Sequence, residues 1–127
     1  MPLVRIDLRR GKPAPYRKAL GEIVYTAMRE TIDVPEDDKF QIMTEHAPEE
    51  LNIAESYLGS RFSSDIILIQ ITLNAGRSLE KKKALYKRIA GDLAAQLQVR
   101  PGDVFINLVE VAKENWSFGR GIAQYAD

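Results

Sequence analysis

The chain has 127 residues, 45% hydrophobic and 28% charged, with no cysteine, which sets aside disordered chains, disulfide scaffolds, thiolate metal sites and cysteine nucleophiles together. Eighteen Lys and Arg balance eighteen Asp and Glu, so the positive field of a protein that lives on nucleic acid or anionic membranes is not expected. One domain over residues 1–127 buries roughly two thirds of its unfolded surface; the longest apolar run, Ile66 to Ile69, is far too short for a membrane span, and a cytoplasmic location is the expectation.

Leu3 to Arg9 alternate, Val4, Ile6 and Leu8 against Arg5, Asp7 and Arg9, the period of a half-buried strand. Extended backwards, that period puts Pro2 on the apolar side. Gly11, Pro13 and Pro15 signal a helix start, and Leu20, Ile23, Val24, Ala27, Met28 and Ile32 follow at helical spacing. Val34-Pro35 ends that helix. Phe40, Ile42 and Met43 suggest a short second strand. His46 to Ser64 make an interruption long enough to be functional or disordered; Ile53, Tyr57, Leu58 and Phe62 give it something to pack with, so an ordered, structural arm is expected, with His46 as a loop residue.

Ile66 to Leu73 is a nearly continuous apolar run, expected of a central strand covered on both faces. Ser78 is placed to cap a helix carrying Leu85, Ile89, Leu93 and Leu97 along one stripe and ending near Arg100-Pro101. Val104 to Val111 reads as the last strand. Beyond it comes WSFGRG, where Gly119 and Gly121 bracket a turn.

Residues 65 apart correspond: Val4 with Ile69, Ile6 with Ile71, Gly11 with Gly76, Lys12 with Arg77, Leu20 with Leu85, Val34 with Val99, Asp38 with Asp103 and Phe40 with Phe105. The chain is therefore a doubled β-α-β unit, with repeats over about 2–45 and 67–110. The expected α+β fold is a four-stranded mixed sheet with two helices on one face. Its other face, carrying Ile66, Leu68, Gln70 and Thr72, is left open to oligomerisation.

The doubled unit, the proline at position 2, the arginine past the second central strand and the WSFGRG ending together resemble the tautomerase superfamily over essentially the whole chain. PLVRIDL, VPEDDKFQ, GRS and NWSFGRGIAQY are most similar to its malonate semialdehyde decarboxylase branch. The resemblance implies a homotrimer with sheets around a central axis, no metal or organic cofactor, and a small-molecule carboxylate as substrate. Its catalytic group is the amino-terminal proline, which is Pro2 once Met1 is removed. It also implies Asp38, rather than Asp37, in the active site, Trp116 and Phe118 as a hydrophobic wall, and Tyr125 at an aromatic position in the tail. Of the branch's paired arginines Arg77 matches the second, whereas the first falls on Ala75.

An α-amino group titrates at about 7.7 to 8.0 in model peptides. Burial and the Arg77 cation favour a neutral Pro2 amine, while the Asp38 carboxylate favours a cationic one. A neutral Pro2 is a base for keto-enol proton transfer on a small oxo acid held by Arg77, which is a tautomerase. A cationic Pro2 polarises a carbonyl so that carbon dioxide leaves, with Asp38 positioning water or a proton, which is a decarboxylase or hydratase. With Ala75 in place of one arginine, tautomerisation ranks first. A third reading, a non-catalytic ligand- or protein-binding module with Pro2 inert, fits the same fold.

Each residue also has a plain structural reading. Asp38 is a turn carboxylate within EDD, Trp116 and Phe118 cover the core, and Arg120 is a turn or interface residue. Asp33, Glu36, Asp37 and Asp38 lack the glycine-spaced alternation of a cation loop. Lys81 to Lys83, Lys87 and Arg88 make a solvated helix face. Arg77 stands beside a helix start, where the dipole disfavours a cation, so its position needs another reason.

Overall fold

The computed structural model describes residues 2–126. The chain runs β1 (Leu3–Arg9), α1 (Ala14–Thr31), β2 (Gln41–His46), β3 (Ser56–Tyr57), β4 (Ser60–Arg61), β5 (Ile67–Asn74), α2 (Leu79–Leu97) and β6 (Val104–Val111), with short 3-10 turns at Pro48–Glu50, Pro101–Asp103 and Lys113–Asn115. The main sheet has the order β2-β1-β5-β6. Its outer pairs are parallel and its central pair, β1 with β5, is antiparallel.

The repeat is visible in the hydrogen-bond register. Val4 lies opposite Gln41 in one half and Ile69 opposite Ile106 in the other, the same pairing shifted by 65 residues. Across the centre, Arg5 faces Gln70, its own counterpart, while Val4 faces Ile71 and Ile6 faces Ile69. A local twofold therefore passes between Arg5 and Gln70. The helix ends repeat as well: Asp33 and Gln98 both adopt left-handed backbone, with φ of 60° and 54°.

Local chemistry accounts for the helix boundaries. Pro13 and Pro15 stand at the entry to α1, where a missing N–H would have had no helical partner. Ser78 caps α2, its Oγ accepting from the Lys81 amide at 3.2 Å. From β1 come Val4, Ile6 and Leu8, from β5 Ile67, Ile69, Ile71 and Leu73, and these meet Leu20, Val24, Met28, Leu85, Ile89 and Leu93 of the helices in one core. Both helices thus lie on one face of the sheet.

Several expectations are revised. β5 is not covered on both faces within the chain, because Gln70 is exposed and Leu68 and Thr72 are half-buried; only its helix-facing side is closed. Ile66, just ahead of β5, is 1% exposed and so is covered within the chain, outside the core between sheet and helices. β2 begins after Phe40 and runs to His46, which is a strand residue with its Nε2 2.6 Å from Asp7 Oδ1. In the 46–64 arm Phe62 packs against Phe105, ring centroids 6.5 Å apart, but Tyr57 and Leu58 are 67% and 89% exposed at the tip of the β3-β4 hairpin. Two residues at a hairpin tip have no neighbouring element to bury against.

Candidate active site

Pro2 is buried immediately ahead of β1. The Val4 amide donates to the Phe40 carbonyl at 2.9 Å, and the parallel register that starts at Val4 and Gln41 brings the segment before β2 alongside the start of β1. Asp38 in that segment is 7% exposed, whereas Asp37 is open to water. Burial pushes the Asp38 carboxyl above its ordinary range, and the Arg77 cation pulls it partly back.

Arg77 follows Gly76, whose φ of 126° suits glycine in the turn leaving β5. Its Nε donates to the Ile32 carbonyl and its Nη1 to the Asn74 carbonyl, each at 3.2 Å. Ile32 caps the C-terminus of α1, the negative end of that helix's dipole. This supplies the reason that the start of α2 did not: the guanidinium is seated by the end of the other helix. Two of the fork's five N–H donors are thus fixed on backbone.

The segment after β6 brings the aromatic residues to the same end. Trp116 and Phe118 stack with centroids 5.4 Å apart and planes 18° apart, and Tyr125 meets Phe118 edge-on at 5.1 Å. Gly119, Arg120 and Gly121 all have positive φ, which turns the chain back so that Gln124 Oε1 accepts from the Phe118 amide at 2.9 Å. Pro2, Leu3, Phe40, Trp116, Ser117 and Phe118 line a cavity of about 290 Å³. Pro2, Trp116 and Phe118 are thus brought onto one cavity, Asp38 and Arg77 are not among its lining residues although the Arg77 charge reaches Asp38, and Tyr125 backs Phe118 rather than lining the cavity.

Two contributors were not legible in the sequence. Phe40 has the apolar character of a strand residue, yet it precedes β2 and lines the cavity. Asn74, at the last position of β5, accepts a hydrogen bond from Trp116 Nε1 at 2.7 Å; nothing local singles out that asparagine, because its partner lies 42 residues away.

The twofold offers a second such position at the opposite end of the sheet, and there the same frame is filled differently. Ile67 replaces Pro2, Lys12 replaces Arg77 and Asp103 replaces Asp38. Asp103 is fully buried, its Oδ1 accepting from the Ser63 amide at 2.7 Å and its Oδ2 from Ser63 Oγ at 2.6 Å and Arg100 Nη1 at 3.2 Å. Lys12 pairs with Asp65 at 2.8 Å. The arm between the repeats thus closes this end, whose remaining cavity is about 50 Å³.

A doubled β-α-β sheet with a buried proline heading its first strand defines a class, and the comparisons with known proteins agree on which one. The tautomerase enzyme family matches residues 38–119 in one form and 2–61 in another. The probable tautomerase YusQ of Bacillus subtilis (strain 168) is 40% identical over 124 residues, 98% of each chain. Among solved structures, a malonate semialdehyde decarboxylase with decarboxylase and hydratase activities superposes with a TM-score of 0.90 at 33% identity, covering 97% of this chain and 95% of that one. A fused 4-OT, solved as a symmetric trimer, shares the fold with a TM-score of 0.80 at 24% identity, over 98% of both chains. The chain belongs to the tautomerase family. Within that superfamily it falls in the malonate semialdehyde decarboxylase-like branch.

Proposed function

We propose that the protein is a cofactor-independent tautomerase in which Pro2, exposed as an amino terminus by removal of Met1, moves a proton between carbon and oxygen of a small oxo acid. The observation that carries this reading is the cavity of about 290 Å³ in which Pro2 meets Trp116, Phe118 and Phe40. Its apolar walls suit a flat, unsaturated substrate. Low polarity there favours the neutral amine, and a positioned base contributes about 100-fold to 10,000-fold in rate. Arg77, seated by two backbone carbonyls, offers its other N–H groups to the substrate carboxylate. Asp38 sits close enough to feel the Arg77 charge and steadies the proton that Pro2 acquires.

Decarboxylation or hydration through a cationic Pro2 is the second reading, and the likeness to malonate semialdehyde decarboxylase favours it. Against it stands Ala75, which is exposed and leaves Arg77 without a neighbouring guanidinium. We place the subunits in a homotrimer joined through the open sheet face, where Phe105 and Val109 are 45% and 37% exposed; the fused 4-OT, whose fold the chain shares, is a trimer.

The test is a pH-rate profile for ketonisation of a small aryl enol-pyruvate by untagged protein whose Met1 removal is checked by mass, with Pro2→Ala in parallel. A Pro2-dependent rate that rises with pH through the amine's titration supports the neutral base. A Pro2-dependent release of carbon dioxide from malonate semialdehyde, falling as pH rises, moves the assignment to the decarboxylase. No Pro2-dependent turnover of either substrate refutes both and leaves a binding module.

A further inference from the structure

We infer that Asn74 is a positioning residue of the Pro2 pocket: its side chain holds the Trp116 indole as the pocket wall, while its backbone fixes the Arg77 guanidinium. Trp116 follows a short 3-10 turn, and residues 116–126 contain no helix or strand to set its orientation. Within that segment the Gln124 side chain accepts from the Phe118 amide and donates to the Gly119 carbonyl. Among the described residues, the bond from Trp116 Nε1 to Asn74 Oδ1 at 2.7 Å is the side-chain hydrogen bond that ties the segment to the sheet.

Asn74 is itself well anchored. It is the last residue of β5, opposite Val111 of β6, and the next amide, Ala75 N, donates to the Val111 carbonyl at 3.0 Å. The Asn74 carbonyl accepts from Arg77 Nη1. One strand-terminal residue therefore sets the spacing between the cation and the aromatic wall. Without Asn74 the indole N–H loses this acceptor, and the stack on Phe118 by itself leaves rotation and sliding open.

The kinetic part of this inference rests on the proposed reaction, whereas a second readout does not. Trp116 is the only tryptophan in the chain, so its fluorescence reports on this wall alone. In Asn74→Ala, acrylamide quenching of Trp116 should rise at least about twofold as the lost hydrogen bond frees the ring. KM for an aryl enol-pyruvate should rise about three- to tenfold with kcat changed less than about twofold, the signature of lost substrate positioning. Asn74→Asp, which keeps the acceptor oxygen, should restore wild-type quenching and also guards against a misfolded alanine variant. In the Trp116→Phe background, Asn74→Ala should cost nothing further, since the bond is already gone. Unchanged quenching in Asn74→Ala, or kinetic losses that add in the double variant, would overturn the inference. If the wild type turns over no enol-pyruvate, the proposed reaction fails and the quenching comparison alone decides the role of Asn74.

Discussion

Arg77→Lys keeps the positive charge and removes the fork, which makes it the most informative change at the site. In the folded chain the guanidinium already serves the Ile32 and Asn74 carbonyls, both at 3.2 Å, and the proposed substrate carboxylate is a third acceptor. A lysine ammonium is a compact point charge on a flexible stem and does not reproduce that planar arrangement, so at least one of the three acceptors is lost. A hydrogen bond involving a charged group is worth about 1.5–3 kcal/mol, and each 1.36 kcal/mol is a factor of ten. If the substrate loses, kcat/KM falls roughly tenfold to somewhat over a hundredfold; if a backbone carbonyl loses, the melting temperature falls instead. Steady-state kinetics on a small aryl enol-pyruvate, alongside thermal melts of the same preparation, separate the two. Wild-type kcat/KM together with a wild-type melting temperature in the lysine variant would refute the claim that the guanidinium's shape, and not merely its charge, is used.

Pro2→Ala retains an amino terminus but exchanges a secondary amine for a less basic primary one, and turnover should drop by about tenfold or more without loss of fold, as read from kcat at matched melting temperature. Asp38→Asn should stabilise the protein at pH 7. Burial raises the Asp38 pKa above its ordinary value of 3.8, so folding takes up a proton between the unfolded and folded values, and the contribution present below 3.8 is lost as pH rises through the folded value. The neutral amide escapes that loss, so the difference in melting temperature should shrink as pH approaches 3, while turnover falls at neutral pH; equal stabilisation at both pH values would contradict the assigned cause. Asp103→Ala should do the opposite of Asp38→Asn. It takes the acceptor from the half-buried Ser63 amide and hydroxyl and costs about 1–3 kcal/mol by denaturant melts, with the 46–64 arm opened to proteolysis and kcat unchanged.

The contrast between Asp38 and Asp103 shows how far the sequence could be read. Their correspondence across 65 residues was legible, as was the fold that follows from it, because alternation in Leu3–Arg9, the Ser78 cap and the Val104–Val111 run are local signals. That the two carboxyls live in different surroundings was not legible, since the difference comes from the arm that delivers Ser63 to one of them. The same holds for His46, which a nonlocal partner, Asp7, draws into the sheet edge. Pro2, Trp116 and Phe118 were singled out by resemblance and line one cavity, while Arg77 reaches the same end of the sheet because β1 and β5 are antiparallel neighbours. Tyr57 and Leu58 misled because apolar character alone does not say whether a neighbour is within reach.

The central claim is that the amino-terminal nitrogen of Pro2 is a reagent. It is tested most directly by comparing ketonisation rates of an aryl enol-pyruvate for protein beginning at Pro2, verified by mass, with the same protein carrying an acyl group on that nitrogen and an unchanged melting temperature. The account predicts that acylation abolishes turnover, because the nitrogen then holds no basic lone pair. Equal rates for the free and acylated proteins would contradict it.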